Sequence, residues 1–488
     1  MARTATTTPT SLVWFRNDLR VHAQPALAAA LAQPEPVRAL YLLCPGQWDA
    51  HHVAPLRRWY VLESLRELAA SLARLGVPLD VIRLDRFAEV PARLRRYWRE
   101  HGTVALYACR EYPLNELNRD RAVADEASKA GVTVHGFDGG MLVPPKQLKT
   151  GGGTPYTVFT PYRRRWQVWL AEQPPACPAP ESTHKPIAPP PLKEVDRAVK
   201  ALAVPASLTA SWQPGEQAAR RQLADFAAEP LRDYRRQRDF PALSGTSLLS
   251  TALSAGTLAA SECWQLAQQA LMQPGWRDGV ECWLGELAWR DFYRQIMANF
   301  PQLAWGAPFR PETRLIRWRD DEAGFAAWCE GRTGYPLVDA AQRQLLSCGW
   351  MHNRLRMVSA MFLSKHLFID WRRGEQFFMQ HLIDGDFAAN NGGWQWSAST
   401  GTDAAPYFRV FSPIRQSERF DAEGDFIRQH VSELAELPAP LIHQPWKKPA
   451  LAPGYPAQVV PHEGVRERVT EAFRQVRDIA QQGQGGAS

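Results

Sequence analysis

Five short apolar runs, at residues 12–15, 37–43, 79–84, 104–108 and 132–137, alternate with longer amphipathic stretches through the first part of the chain. No other feature restricts the fold as strongly. Runs of this length fit buried strands, and the stretches between them, at 26–32, 56–75, 90–101 and 114–130, carry helical periodicity. Gly76 stands just past the second stretch, where a helix stop is expected. Strands alternating with helices predict a doubly wound α/β domain with a mostly parallel sheet over residues 10–140. The first strand leads into Arg16, Asn17, Asp18, Leu19 and Arg20 without a glycine-rich turn, so the dinucleotide fingerprint is absent there. A dinucleotide would have to bind elsewhere.

The chain has 488 residues, too many for one core, so a second domain is required. A proline-rich stretch at 171–209 marks an interdomain linker, assigned to 141–210. Beyond it no strand pattern recurs. Helices are predicted at 215–229, 246–270, 280–299, 322–331, 336–348, 350–370 and 374–382, which makes 211–475 an all-α domain and 476–488 a frayed tail. The seven cysteines are scattered and form no CxxC pair, which argues for a reducing compartment and against a disulfide framework or a metal site. The chain shows neither a signal-peptide pattern nor an apolar run long enough to span a bilayer, so a cytoplasmic protein without a membrane partner is expected. The net charge of +7 suits a polyanion such as nucleic acid.

Four segments could carry chemistry. Residues 384–409 show neither helical nor alternating periodicity. They set Asp384, Asp386, Asn390, Asn391, Trp394, Gln395 and Trp396 among Gly385, Gly392 and Gly393, a mixture that suits a flat ligand with polar edges or, more plainly, a surface loop. On residues 283–293, Glu286, Trp289, Arg290 and Tyr293 share one helical face, which fits a base-binding cavity as well as it fits a solvated Glu–Arg pair. In residues 351–357, Asn353 and Met357 are one helical turn apart, and Arg354 and Arg356 point different ways. Residues 245–250 open a helix with hydroxyl side chains, suited to phosphate or to ordinary capping by Thr246 or Ser247. Just upstream, Tyr234 and Arg238 lie in an arginine-rich run.

Taken together, these residues resemble the DNA photolyases and cryptochromes, specifically the bacterial class I cyclobutane pyrimidine dimer photolyases. The most specific motifs are Gly334-Tyr-Pro-Leu-Val-Asp339, Trp350-Met-His-Asn-Arg-Leu-Arg-Met357 and the stretch from Asp384 to Arg409. The resemblance implies FAD, reduced in the active form, held in the all-α domain by Tyr234, Thr246, Ser247, Leu248, Leu249, Ser250, Trp283, Asn353, Asp384, Gly385 and Asp386, with Asn390 facing flavin N5. It implies a light-dependent carbon–carbon lyase acting as a monomer on UV-damaged DNA that contains cyclobutane pyrimidine dimers. On this reading Glu286 hydrogen-bonds the flipped dimer, Trp289 and Trp396 stack around it, and Asn353 and Met357 line the same cavity. Arg290 and Tyr293 join the DNA-contacting set, while Arg238, Arg354, Arg409 and Gln416 hold the strand. Trp394, Trp371 and Trp318 resemble the family's electron-transfer chain. Asn115 and Glu116 match residues that bind a methenyltetrahydrofolate antenna, but Ala304-Trp305 replaces the Cys-Lys pair that completes that site. A deazaflavin antenna or an empty site are the alternatives. Asn353, Asn390 and Glu286 favour dimer repair over the alternative of a cryptochrome-like photoreceptor without repair activity.

Overall fold

The computed structural model describes residues 8–485. The apolar runs become five parallel strands, β1 (Thr10–Phe15), β2 (Val37–Leu43), β3 (Leu79–Arg83), β4 (Thr103–Cys109) and β5 (Thr133–Phe137), in the order β3-β2-β1-β4-β5. Leu12 and Trp14 face one side of the sheet and Val13 and Phe15 the other, and all four are buried. Both faces are therefore covered, as a parallel sheet requires. One face packs on helices Val90–His101 and Leu114–Ala130 through Leu94, Tyr97, Trp98, Val123 and Ala127. The strand order reverses between β1 and β4, which is where such sheets open a ligand crevice. Among the described residues no other element is a strand.

Compactness divides the chain differently from composition. One unit comprises residues up to 156, 160–232 and 247–301; the other comprises 157–159, 233–246 and 302 onward. The Arg277–Asn299 helix thus packs within the first unit. Its buried Asp291 accepts from the Leu142 and Val143 backbone N–H groups and from Trp166 Nε1, each at 3.0 Å. Two anchored helices, Phe159–Glu172 and Lys193–Leu202, lie inside the span assigned to the linker.

Two expectations are corrected. The helix expected over 246–270 is two, Ser250–Ala255 and Ala260–Ala270, broken at Gly256. The 350–370 helix begins at Asn353 and gives way to a π-helical turn at Phe362–Leu367. The tail expected to fray from 476 lies along the last part of helix Val465–Gly485, from the end of the buried stripe of Val465, Val469, Phe473 and Val476; residues 486–488 lie outside the described set.

Gly256 shows why the break is obligatory. Its φ is +74°, and a Cβ there would stand 2.0 Å from the Asn17 carbonyl oxygen. Gly256→Ala is expected to lower stability by about 2–5 kcal/mol, combining left-handed strain with overpacking. Thermal unfolding checks this; an unchanged midpoint would contradict the packing described.

Candidate functional site

In the second unit the stretch at 384–409 is not a loop. Residues Phe387–Ala398 form a helix. Asp386 caps its N-terminus, its Oδ1 accepting from the Ala389 backbone N–H at 3.0 Å, and Ser399 at φ +62° closes it. No apolar period announced this helix because a polar ladder docks it. Glu375, on helix Trp371–His381, accepts from Asn391 Nδ2 at 2.9 Å. Asn391 Oδ1 accepts from Gln395 Nε2 at 2.8 Å, and Gln395 Oε1 accepts from the Phe309 backbone N–H at 2.8 Å. Asn391 and Gln395 are one turn apart and both buried.

That docking sets the rotation of the helix. Asn390 and Trp394 share a face, while Trp396 lies about 200° round from Trp394. Asn390 Nδ2 donates to the Glu375 carbonyl oxygen at 2.9 Å, which leaves the amide oxygen as the group a ligand can meet. Trp394 is buried across Gly374, where a Cβ would stand 2.1 Å from its ring, and it meets Trp328 and Phe378 edge to face at 5.9 and 4.9 Å. Trp371 is buried in the same core cluster, and half-buried Trp318 packs against it.

Asp384 and Gly385 are buried just before this helix. Asp384 Oδ2 accepts from Arg356 at 2.8 Å, while its Oδ1 is buried without a hydrogen-bond partner. The indole Nε1 of Trp394 is likewise buried and unmatched. Asn353 begins its helix behind the cap residue His352 and is exposed; Met357, one turn on, is half-buried. The two arginines that follow Asn353 are both engaged by carboxylates. Arg354 pairs with Asp239 at 2.8 Å and lies 4.4 Å over Phe420, while Arg356 holds Asp384. Tyr234 is buried with the Arg238 guanidinium 5.4 Å over its ring. Arg409 is exposed, and Gln416 is half-buried with an unpartnered Oε1.

In the first unit, Glu286 and Trp289 lie half-buried on the Arg277–Asn299 helix, and Trp289 stacks on Tyr293 at 5.4 Å. Trp283 is buried against Phe226. Arg290 lies on the same helix. Its guanidinium donates to the Gly140 and Leu253 carbonyl oxygens at 2.8 and 3.1 Å, a structural clamp. Residues 247–249 do not cap a helix with a hydroxyl. Ser250 starts the helix, and exposed Leu248 adopts φ +53°, a left-handed conformation rare outside glycine. Thr246, assigned to the second unit, is half-buried.

Near the sheet's C-terminal edge, exposed Asn115 donates to His51 Nε2 at 2.8 Å, as does Gln47. Glu116 Oε2 is buried and unpartnered, and burial with Glu111 nearby pushes its carboxyl up to about 7. His51 and Glu375 are the two residues sequence reasoning missed. Both act through partners distant in the chain, and neither sits in a distinctive motif.

Residues 11–181 match the family model of DNA photolyase, and residues 283–475 match the FAD binding domain of DNA photolyase. The deoxyribodipyrimidine photo-lyases of Escherichia coli and Vibrio cholerae are 42% and 41% identical, over 96% and 95% of this chain and 99% of each relative. The chain belongs to the DNA photolyase family. A bacterial class III photolyase from Agrobacterium tumefaciens superposes with a TM-score of 0.88 at 34% identity, covering 98% of this chain and all of that one. The archaeal photolyase from Sulfolobus tokodaii, described with two FAD molecules and a novel light-harvesting cofactor, gives 0.80 at 29% identity over 96% and 100%. The Synechocystis cryptochrome gives 0.82 at 28% over 95% and 99%, so the fold alone does not separate repair enzyme from photoreceptor.

The residues present fit FAD. An unmatched buried carboxylate oxygen at Asp384 and an acceptor-oriented amide at Asn390 suit the N–H and O–H donors of a flavin and its ribose. The ladder itself can be tested. Burial pushes the Glu375 carboxyl up to about 7, above its unfolded value. The folded state therefore holds a proton that the unfolded chain releases first, and stability from this group falls as pH rises from about 4.5 to about 7. Glu375→Gln keeps an acceptor for Asn391 and removes the titration. Its stability relative to the parent should rise across that window by up to about 3 kcal/mol, read by denaturant titration at several pH values. A pH-independent difference would contradict the buried carboxyl described.

Proposed function

We infer that this chain is a light-driven DNA-repair lyase that splits cyclobutane pyrimidine dimers. The observation that carries the reading is full-length similarity to proteins named deoxyribodipyrimidine photo-lyase, extending over 99% of each of those relatives. The chemistry FAD supplies when bound is light-driven one-electron reduction, which opens the cyclobutane ring and recovers the electron.

The chain's own residues position that chemistry. Asp384, Gly385 and Asp386 hold the ribose and isoalloxazine region, and Trp283 packs on the cofactor. Tyr234 with residues 246–250 holds the phosphates, in a segment where Leu248 adopts a left-handed backbone. Asn390 offers its amide oxygen to the N–H at flavin N5, one of its two N–H donors being held by the Glu375 carbonyl. An amide there adds no negative charge beside an anionic ring. Asn353 serves both the cofactor and the substrate pocket.

On the substrate side, Glu286 accepts from the dimer's imide edge, Trp289 and Trp396 stack on it, and Met357 and Tyr293 contact it. Photolyases are among the recognised base-flipping enzymes, and these residues would receive the extruded pair. Arg238, Arg409 and Gln416 hold the strand. Arg354 joins them only if a phosphate displaces Asp239. Trp318, half-buried, lets an electron enter and pass through Trp371 to Trp394, all within one packed cluster. The second chromophore site at Asn115 and Glu116, with His51 bonded to Asn115, would take a folate or a deazaflavin antenna or stand empty. The protein works as a monomer in the cytoplasm, consistent with seven free thiols and with the absence, among the described residues, of a helix able to cross a membrane.

Reduced protein incubated with a thymine-dimer oligonucleotide should lose dimers in light and not in darkness. Light-independent loss, or none, would overturn the reading. Trp394→Phe should block photoreduction of oxidised flavin and spare repair by chemically pre-reduced enzyme. Glu286→Ala should lower repair efficiency about tenfold with flavin content retained, as expected for losing hydrogen bonds to a charged group. Loss of flavin instead would make Glu286 structural.

A further inference from the structure

Lys365 lies in the π-helical turn Phe362–Leu367 and is 1% exposed. Turns of this kind are rare and recur at functional sites. The ammonium has no carboxylate partner among the described residues. A buried cation without a counter-ion is costly, and here burial, with Arg409 adding to it, pushes the amine down to about 7. The geometry shows what the amine does. Nζ donates to Ser399 Oγ at 2.9 Å and to the Arg409 carbonyl oxygen at 2.8 Å. Those two residues are the ends of one loop.

The loop itself is built to be held. Ser399 is fully buried at φ +62°, and Asp403 adopts φ +44°, so two non-glycine residues accept left-handed backbone. The Trp396 carbonyl oxygen accepts from the Ser399 and Ala405 backbone N–H groups at 3.3 and 3.2 Å. Arg310 donates its backbone N–H to Thr400 O at 3.0 Å, and Asp403 Oδ2 accepts from the Phe159 backbone N–H at 3.0 Å. The outer limb is held on one side only: Tyr407 stacks on Phe473 at 5.3 Å, whereas Phe408 is 49% exposed and the exposed Arg409 guanidinium makes no ion pair or hydrogen bond among the described residues. Among the described residues, Lys365 is the buried charge that ties that limb back to the start of the loop.

We propose that Lys365 is a positioning residue for damaged DNA: by bridging Ser399 and Arg409 it sets the spacing between the Trp396 indole and the Arg409 guanidinium. The inference rests on the repair reading for its substrate, but the loop it describes exists in the free protein. A lysine reaches both oxygens with one atom, whereas an apolar side chain of equal length reaches neither.

The test uses flavin-loaded Lys365→Met and, because a buried change can impair folding, Ser399→Ala, which removes one acceptor and little volume. Backbone amides at 400–409 should exchange with solvent about tenfold faster in both variants, the value of one charged hydrogen bond, while exchange in Phe387–Ala398 is unchanged. Affinity for a dimer-containing oligonucleotide, and KM for its repair, should worsen about tenfold, with kcat, flavin spectrum and affinity for undamaged DNA within about twofold. Unchanged exchange at 400–409 overturns the proposal, as does an equal loss of affinity for damaged and undamaged DNA. If the parent protein shows no preference for dimer-containing DNA, the repair reading fails, and the exchange measurement still judges the lysine.

Discussion

The carboxylate of Glu375 is the interaction on which the second unit's chemistry depends. Alone, a buried carboxyl is a liability; here it starts a ladder through Asn391 and Gln395 to the Phe309 backbone. Each step is a buried donor matched to a buried acceptor, so no member can be removed without orphaning the next. The ladder fixes one helix in rotation as well as position. Its rotation decides that Asn390 and Trp394 share a face and that Trp396 does not. The backbone carbonyl of the same Glu375 then orients the Asn390 amide. One residue thus supplies the docking and the presentation.

Small residues complete the arrangement. Gly374, beside Glu375, has no side chain, and the Trp394 ring occupies that space. Any Cβ would force the indole away and with it the helix that Glu375 holds. Trp394 then lies among Trp328 and Phe378 in the cluster that also contains Trp371, so the indole proposed to relay electrons is part of the core that gives the unit its stability. Rigidity suits such groups because tunnelling between them depends on fixed spacing.

Much of the fold was legible. The strand Val37–Leu43 and the helices Val90–His101, Leu114–Ala130 and Pro336–Cys348 coincide with their apolar periods and end signals. The helix Phe387–Ala398 was not, because periodicity reports apolar faces and this helix is docked by amides and a carboxylate. Glycines and asparagines also lower intrinsic helix preference, which Asp386 offsets as a cap. Candidate residues were recognisable where they belong to a long motif, as with Asp384, Asn390 and Trp394. The carbonyl contacts of Arg290 were not legible because its acceptors, Gly140 and Leu253, are remote in sequence. His51 and Glu375 escaped for the same reason: their meaning lies in partners that only folding brings near.

The central proposal is that different faces of one helix serve cofactor and substrate separately. It is tested by measuring flavin retention and dimer-DNA affinity side by side in Asn390→Ala and Trp396→Ala. The account predicts that Asn390→Ala alters the redox behaviour of the bound flavin with dimer affinity preserved. Trp396→Ala should weaken dimer binding by about tenfold or more, as loss of base stacking does, with flavin content intact. Loss of both properties in both variants would contradict it.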